Sequence, residues 1–405
     1  MFDDQLVIHP NHFTQHFLKA AYANNTENYV VCPIGALFLL TALLGSNGIR
    51  QNTAKQVATN LGIRTSNSTL RTKIAKMSYV HFRASLGNER TIIQRSEVKV
   101  INVSTGVFLK TNYKFQKEFK DIIRDEFMCK VENLDFTNQL HSVGLINSWI
   151  KYKTGGLIDN FFKNKYELPA NTRIALMNTV TFKDVWKKKF DMAHVHSGRF
   201  YLSKSKSMVT EFMRSDETVN YGRFKLSGFR MISKQFENTR FSFVAVLPTI
   251  KFNLTNTLQF LTGRRSLFLY IDKLKPRSVT IKLPKFKLEK SLDLIEILKV
   301  MGISDMFDGI KANLTGITET ERLKVDFLRQ TTLLKVDEKG VEAAAATAIY
   351  SLGRSLHYVP TNAYFIADHP FVCFIYDNLL KVPLYAALVK TPLPPTDNIE
   401  ITSYW

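Results

Sequence analysis

Residues 336–355 read VDEKGVEAAAATAIYSLGRS, and this stretch decides the fold of the 405-residue chain. Its centre, EAAAAT, favours a helix on intrinsic propensity alone. If the segment instead entered a sheet as a strand, alternate side chains would point inward, and none of them would be charged. These inward residues would be Val341, Ala343, Ala345, Thr347, Ile349, Ser351 and Gly353. The stretch alone therefore fits two structures, an alanine-rich surface helix or linker and a strand that inserts into a sheet.

The composition indicates a chain with an ample core and a large positive charge. Hydrophobic residues make up 45% of the chain, and the net charge is +20 with a pI near 9.7. Such an excess suggests a polyanionic partner: a nucleic acid, an acidic membrane surface or a sulfated glycan. The charge alone does not choose among them. Three scattered cysteines, Cys32, Cys129 and Cys373, predict buried thiols rather than a disulfide framework or a metal site.

No segment of the sequence predicts a membrane span. No apolar run reaches the ~18 residues that a span needs, and the first residues lack the basic region and apolar stretch of a secretory signal. Five N-x-S/T sequons, by contrast, matter only on the secretory route. The compartment therefore stays open between the cytoplasm and unconventional export, and we favour an extracellular location.

Four spaced motifs lie outside the opening stretch. Residues 147–158 contain N-x-W-I-x-x-x-T-x-G-x-I, residues 178–186 contain N-x-x-x-F-K-x-x-W, residues 284–286 are PKF and residues 368–371 are DHPF. Together with the acidic residue, glycine and alanines of the opening stretch, these motifs resemble the serpin superfamily, of the inhibitory type. The resemblance extends over nearly the whole chain, roughly residues 12–392.

The resemblance implies an α+β serpin fold in which about nine helices pack on three β-sheets and a reactive-centre loop is exposed. One domain would span residues 1–405, with the loop at about 338–360 and an atypical C-terminal tail at 393–405. The apolar periodicity predicts helices at 12–22, 33–45, 52–62, 68–86, 115–127 and 292–302. It predicts strands at 28–33, 98–109, 172–186, 241–248 and 279–286, and two more within 367–389.

The family's spacing places the reactive bond between Arg354 and Ser355. Arg354 offers a planar guanidinium to a buried carboxylate in the specificity pocket of a trypsin-like serine protease, so the implied target is trypsin-like. Gly353, Leu352 and Tyr350 would contact the neighbouring subsites. The implied hinge consists of Glu338, Gly340, Val341, Glu342, Ala343, Ala344, Ala345, Ala346 and Thr347. Because Arg354 suits extracellular targets, we expect a parasite serpin that meets host proteases.

The mechanism that the resemblance implies is suicide inhibition. The protease serine attacks the carbonyl of Arg354 and forms a covalent acyl-enzyme, and the freed loop then inserts as a strand from about Val341 onward. Val341 stands where the family usually has threonine or serine, but it is apolar and β-branched, so we expect insertion to remain competent. The alternatives are a non-inhibitory serpin, which is a binding or carrier protein that is cut after Arg354 as a plain substrate, and a polyanion (glycosaminoglycan) binder in which inhibition is incidental.

Two devices that would control opening of the sheet can be placed by position. Glu338 and Lys285 correspond to an ion pair beside Trp186 in relatives, although two exposed charges of little energetic value are an equal alternative. The family's gate, made of two serines, an asparagine and a histidine, is represented by Cys32, Gly35, Asn178 and Gln330. Only the asparagine is retained, so we expect a rewired gate in which Gln330 bonds Asn178.

One basic helix is a candidate polyanion site. By position it corresponds to the helix that binds glycosaminoglycans in some serpins, and a solvated basic face is the alternative. Its cations are Arg71, Lys73, Lys76 and Arg83, and further basic clusters lie at 187–189 and 264–265. A heparin-like glycosaminoglycan is therefore a candidate partner and modulator. We expect no other cofactor, no nucleic-acid partner and a monomer.

The sequence contains no enzyme motif. It lacks a G-x-S-x-G elbow, H-E-x-x-H, a phosphate-binding glycine loop and a C-x-x-C pair. His369 beside Asp368 resembles a catalytic pair, but adjacent residues of a strand point to opposite faces, so a structural histidine is favoured. We expect no catalytic residue in this chain, and the chemistry would come from the protease.

Overall fold

The computed structural model describes residues 8, 10–22, 27–88, 90–93, 96–263, 267–341 and 363–395. Residues 342–362, which include the predicted reactive bond, lie outside this part of the chain. None of the helices within it is long and apolar enough to cross a membrane.

Nine α-helices lie in the described residues. They are α1 (Pro10–Tyr22), α2 (Pro33–Gly45), α3 (Gln51–Asn60), α4 (Ser68–Gly87), α5 (Lys117–Asp125), α6 (Gln139–Thr154), α7 (Leu254–Thr262), α8 (Leu267–Ile271) and α9 (Leu294–Val300). α2 begins with proline in its first turn, where no backbone donor is needed, and all of its residues are buried. It is therefore the central helix of the molecule.

Eighteen β-strands form three sheets within the same residues. The first nine are β1 (Tyr29–Val31), β2 (Arg90–Ile93), β3 (Ser96–Lys99), β4 (Ile101–Lys110), β5 (Lys130–Leu134), β6 (Ile174–Phe182), β7 (Asp184–Val185), β8 (Val195–Tyr201) and β9 (Ser207–Phe224). The others are β10 (Phe229–Gln235), β11 (Phe241–Pro248), β12 (Lys275–Pro284), β13 (Phe286–Asp293), β14 (Phe327–Val336), β15 (Gly340–Val341), β16 (Ala363–Ile366), β17 (Phe371–Asp377) and β18 (Val382–Val389).

The largest sheet has nine strands in the order β1-β18-β17-β11-β10-β9-β12-β16, and β8 also pairs with β9. Its strands β11, β17 and β18 are buried along their whole length, as expected for near-continuous apolar runs. β16 pairs in parallel with β12. Because β16 begins directly after residue 362, the C-terminal end of the predicted loop is attached to this sheet.

The second sheet positions the site. Its order is β5-β4-β6-β14-β15-β7, and β13 pairs with the opposite edge of β14, along residues 329–336. β6 is parallel to β14, whereas β15 is antiparallel to both β14 and β7. The third sheet is the hairpin of β2 and β3.

The core is formed mainly by one cluster that joins α1, α2 and the two large sheets. A smaller cluster lies between α6 and the seven-stranded sheet, with Phe108, Ile146, Ile150, Phe161 and Phe162 among its members. The three cysteines are buried free thiols, as the sequence predicts.

The predicted α+β class, with nine helices and three sheets, is confirmed. The helix at 33–45 and the strand at 241–248 have the predicted bounds. The predicted strand at 172–186 is divided at residue 183 into β6 and β7. The helix predicted at 292–302 is shorter, because residues 292–293 belong to β13 and Asp293 caps the helix through Ile295 N–H.

Candidate functional site

A tight turn joins β14 to β15 and begins the predicted hinge. The N–H of Asp337 donates to the carbonyl of Gly340 at 3.0 Å, and its Oδ1 accepts from the N–H groups of Lys339 and Gly340 at 2.9 and 3.2 Å. A Cβ at Gly340 would lie 2.2 Å from the carbonyl oxygen of Asp184 and 2.6 Å from the Cα of Val185. Glycine is therefore required here by the close approach of β7.

The first hinge residues already occupy the opening of the seven-stranded sheet. Val341 pairs with Val336 on β14 and with Asp184 on β7, and its side chain is fully buried. Along the rest of these strands, residues 175–180 of β6 pair directly with residues 327–332 of β14. At one end of the sheet, which we call the forked end, the hinge therefore separates β14 from β7. Beyond it, β6 and β14 pair directly and the sheet is closed.

Lys285 lies between two carboxylates at the forked end. Its Nζ is 3.0 Å from Glu211 Oε2 and 3.1 Å from Glu338 Oε2, and the three side chains expose only 19%, 8% and 12% of their surface. Burial alone would lower the pKa of Lys285, but the hydrogen bond to Glu211 and the charge of Glu338 outweigh it and raise that pKa. The ion pair of Glu338 and Lys285 is thus present in place of two exposed charges, and Glu211 is a partner that the sequence did not reveal.

Trp186 attaches the hinge turn to the core. Its Nε1–H donates to the carbonyl of Asp337 at 2.8 Å, and its backbone N–H donates to the carbonyl of Lys339 at 2.9 Å. The indole is buried and stacks on Phe236, with ring centroids 4.8 Å apart. The turn is therefore held by a ring that is itself fixed by packing.

A buried lysine supports this tryptophan and was not predicted. Lys234 on β10 exposes 1% of its side chain, and its Nζ donates to Glu217 Oε1 at 2.6 Å and to the carbonyl of Lys188 at 2.7 Å. The same Nζ lies 4.9 Å from the ring centre of Phe190 and 5.5 Å from that of Trp186. Burial lowers the pKa of Lys234 despite the carboxylate. The strand β10 reads FRMISKQ and is mostly polar, so the sequence gives no signal that this lysine is buried.

Gln330 is the centre of a hydrogen-bonded cluster that we call the gate cluster: Gln330, Asn178, Cys32 and Gly35. The Gln330 Nε2 donates to Asn178 Oδ1 and to the carbonyl of Cys32, each at 3.0 Å, and its Oε1 accepts from the N–H of Cys32 at 3.1 Å. Asn178 donates to Thr105 Oγ1 on β4 at 3.0 Å. The hydrogen bond expected between Gln330 and Asn178 is therefore present, and its role as a gate stays a prediction.

The geometry explains why the family's two serines are absent. A Cβ at Gly35 would lie 2.2 Å from Asn178 Oδ1 and 2.7 Å from Gln330 Nε2, so glycine leaves the space that the Gln330 amide fills. The thiol of Cys32 donates to the carbonyl of Leu384 on β18 at 3.1 Å, and burial raises its pKa to about 12. At position 32 the backbone makes the hydrogen bonds of the cluster, and at position 35 the absence of a side chain leaves room for the Gln330 amide. Neither position needs a side-chain hydroxyl.

The reactive bond and most of the hinge lie outside the described residues, so their assignments stay predictions. These residues are Glu342, Ala343, Ala344, Ala345, Ala346, Thr347, Tyr350, Leu352, Gly353, Arg354 and Ser355. The predicted tail is described only to residue 395. Its first residue, Leu393, donates to the carbonyl of Lys285 at 3.3 Å and accepts from Thr210 Oγ1 at 2.6 Å. The tail therefore begins beside Lys285, Glu211 and Glu338, which we call the Lys285 cluster.

The predicted glycosaminoglycan face on α4 is wrong in part. Arg71 is buried, with 8% exposure, because it precedes buried residues by three and four positions and so lies on the apolar stripe of the helix. Lys76 forms an ion pair with Glu126. Lys73 is exposed and Arg83 is half-buried. The four cations therefore do not share one free surface.

The argument from strand alternation against a contact between His369 and Asp368 is also wrong. Both residues precede β17, and His369 Nδ1 lies 2.7 Å from Asp368 Oδ1. The other ring nitrogen lies 3.0 Å from the carbonyl oxygen of Pro248, and the histidine is buried. Because both ring nitrogens have hydrogen-bond partners within the protein, the structural role predicted for His369 fits the geometry.

Comparison with known proteins finds one family. The sequence model described as Serpin (serine protease inhibitor) matches residues 9–392. The chain is 28% identical to glia-derived nexin of Mus musculus over 370 residues, covering 90% of this chain and 88% of that protein. It is 28% identical to Serpin B3 of Homo sapiens over 294 residues, covering 72% of this chain and 74% of that protein.

Two solved structures from trematodes are similar over nearly the full chain. The serpin from Schistosoma haematobium superposes with a TM-score of 0.86 at 32% identity and covers 96% of this chain and 100% of that one. The serpin from Schistosoma mansoni gives a TM-score of 0.85 at 34% identity and covers 94% and 100%. These likenesses agree with the family resemblance, and the parasite origin expected from the sequence stays a prediction.

The packing around Gln330 predicts a non-additive pair of substitutions. Gly35→Ala should lower the free energy of unfolding by about 1–3 kcal/mol, because the new methyl overlaps the Asn178 and Gln330 amides. Gln330→Ala should cost about 1–3 kcal/mol by leaving buried partners unbonded. In the double variant the methyl gains space, so denaturant unfolding should show a loss smaller than the sum. Gly144→Ala on α6, where a Cβ meets nothing within 4 Å, is the control for adding a methyl group to a helix. If the losses for Gly35→Ala and Gln330→Ala added in full, the packing argument would be contradicted.

The Lys285 cluster predicts a local opening of the hinge. Lys285→Met leaves Glu211 and Glu338 facing each other in a largely buried site, so exchange of the amides of residues 338–341 should accelerate about tenfold, equivalent to ~1.4 kcal/mol. Hydrogen–deuterium exchange with mass spectrometry measures it. Lys335→Met removes a more exposed pair, with Asp337 at 3.5 Å, and should leave exchange nearly unchanged. Equal acceleration in both variants would show that the cluster does not hold the hinge.

Proposed function

The chain belongs to the serpin family of serine protease inhibitors, and from this premise we propose that it inhibits trypsin-like serine proteases by suicide cleavage and loop insertion. The protease would cut between Arg354 and Ser355. The observation that carries the proposal is the seating of Val341, which is buried between β14 and β7. The hinge residue that departs from the family pattern thus fits the position where insertion begins.

The register of the sheet supports a favourable insertion. At present β6 and β14 pair in parallel over six residues, 175–180 with 327–332. β15 is antiparallel to both of its neighbours, so a strand that continued from it would replace one parallel ladder with two antiparallel ones. Antiparallel pairing is slightly more stable per residue, and the new strand would also satisfy its own backbone groups. Insertion would therefore release free energy that the closed sheet retains.

The acylation step needs only a suitable bond in this chain. The serine of the protease would add to the carbonyl carbon of Arg354, and the bond to the nitrogen of Ser355 would break as that nitrogen takes a proton. The product is an ester between the protease and Arg354. Insertion that is faster than hydrolysis of this ester would trap the protease, whereas slower insertion would release it and give a cleaved substrate. The carrier alternative corresponds to the second outcome.

Incubation with trypsin tests the proposal directly. We expect a covalent complex that survives boiling in SDS, and a rise in the thermal stability of the cleaved chain. Arg354→Ala should abolish the complex with trypsin, because the guanidinium that enters the specificity pocket is lost. Arg354→Lys is the matched control and should retain it at a lower rate, since lysine keeps the charge without the bidentate geometry. Cleavage after Arg354 with neither the complex nor the stability rise would support the carrier alternative.

A charge at residue 341 should convert the inhibitor into a substrate. Residues directly opposite in an antiparallel pair share a face, and Asp184 is both opposite Val341 and buried. Val341→Glu would place two carboxylates together inside the sheet, which slows insertion relative to deacylation. The number of inhibitor molecules consumed per protease should rise from near one to about ten or more. Val341→Thr should stay near one, and an unchanged value for the glutamate variant would refute insertion through this position.

A further inference from the structure

Two histidines lie one turn apart on α1, the first helix of the described chain. The buried residues of α1 recur at positions 10, 13, 14, 17, 18, 21 and 22, and this apolar stripe packs against α2, α7, α9 and β18. His12 and His16 are exposed, and at about 100° per residue they fall on the side opposite the stripe. Because residues four apart are neighbours on a helix surface, the two imidazoles face the solvent together.

The two rings are close enough to share one metal ion. Their centroids are 4.3 Å apart and their planes are tilted by 47°. Zinc binds a histidine nitrogen at about 2.0–2.1 Å, so one ion holds two such nitrogens at most about 4.2 Å apart. Rotation of the two side chains can aim one nitrogen of each ring at a common point without movement of the backbone of α1. Two histidines with this spacing on one helix face are the ligand pair of zinc metalloproteases.

The ring nitrogens of this pair are available to a ligand. Within the described part of the chain, no hydrogen bond or ion pair engages His12 or His16. By contrast, both ring nitrogens of His369 have partners, and the Nδ1 of His196 lies 3.2 Å from the carbonyl oxygen of His194. A neutral imidazole is the commonest protein ligand of transition metals. The α1 pair therefore offers two nitrogens at one solvent-accessible point.

We propose that His12 and His16 bind one zinc ion between them. Imidazole suits Zn²⁺, Ni²⁺ and Cu²⁺, whereas Mg²⁺ and Ca²⁺ prefer oxygen ligands. No third histidine, cysteine, aspartate or glutamate among the described residues joins the pair, so water completes the coordination. The site is therefore open, unlike a structural zinc site, in which four protein ligands surround the ion. Cu²⁺ should bind the same pair more tightly, following the general order of divalent metal affinities.

A bound ion would cross-link two successive turns of α1. A helix of 13 residues is marginal in water on its own, so α1 depends on the packing of residues such as Phe13 and Phe17, which are fully buried in the main core. An ion that binds the folded helix more tightly than the unfolded chain stabilises the helix by mass action. This stabilisation involves no protease, so it is independent of the proposed inhibition.

Calorimetric titration of the intact, untagged protein with ZnCl₂ tests the site. We expect one saturable site, which MgCl₂ does not fill, and a loss of affinity of about tenfold or more in H12Q/H16Q, because the second ligand of a chelate binds intramolecularly. H16Q/K19H keeps two histidines on this side of α1 but places them about 10.5 Å apart along the axis, so it should lose as much. K19Q removes a nearby cation and should raise the affinity about twofold. No saturable binding, or full affinity in H16Q/K19H, would refute the shared ion.

Hydrogen–deuterium exchange shows whether the ion holds the helix. With free Zn²⁺ at ten times its dissociation constant, exchange of the amides of residues 10–22 through local unfolding should slow about tenfold. H12Q/H16Q should show no such slowing, and its unfolding midpoint without metal should equal that of the native protein because both side chains are exposed. An unchanged rate in the native protein would mean that the ion does not bridge the two turns, which overturns the proposal.

Two further double variants locate the site. His81 on α4 and His141 on α6 are exposed histidines on separate helices, so H81Q/H141Q removes the same number of imidazoles and should retain full affinity. A loss equal to that of the α1 double variant would mean diffuse binding to exposed histidines. A loss confined to H194Q/H196Q would place the ion beside Asp191, which lies 3.7 Å from the Nδ1 of His194. Either result overturns the site on α1.

Discussion

The direct pairing of β6 with β14 closes the seven-stranded sheet at the place where the family's mechanism inserts a strand. Residues 175–180 and 327–332 form this parallel ladder, and all of β6 is buried. As long as it persists, the hinge can advance no further than Val341, because both neighbouring strands have already satisfied their backbone groups with each other. Under the proposed mechanism, this ladder has to stay closed until the loop is cut.

The forked end of the sheet and the ladder are held by different chemistry. At the forked end, Lys285 joins Glu211 and Glu338, and Trp186 donates two hydrogen bonds to the hinge turn. These contacts hold residues 338–341 at the edge of β14 and β7, which is where the proposed insertion would start. The gate cluster lies in the closed part, where Gln330 directly opposes Asn178 and their amides bond across the two strands. The forked end thus holds the hinge turn in place, and a side-chain hydrogen bond joins β6 to β14 within the closed ladder.

The sequence predicted the features that local pattern or a family motif encodes. α2 is apolar all round and has the bounds that its pattern indicated, and the motif at 178–186 located Asn178 and Trp186. Tertiary neighbours were beyond reach: Glu211 meets Lys285 across the sheet, and Lys234 meets Glu217 on the adjacent strand. The sequence placed Arg71 on the glycosaminoglycan face because only its charge was considered. Its position on the apolar stripe of α4, which buries it, was not.

The rewired gate remains compatible with opening because its bonds divide unequally between the parts that separate. Gln330 makes two hydrogen bonds to the backbone of Cys32 and one to Asn178. A strand that enters between β6 and β14 must break the bond to Asn178, but it can leave both bonds to Cys32 intact if α2 stays with β14. Of the hydrogen bonds made by Gln330, only the one to Asn178, worth about 0.5–1.5 kcal/mol net, then adds to the backbone ladder in opposing the parting of the strands, and Asn178 keeps its bond to Thr105. The space at Gly35 is what allows the Gln330 amide to reach both Asn178 on β6 and the backbone of Cys32. These two departures from the family pattern are therefore coupled by packing, and their role as a gate stays a prediction.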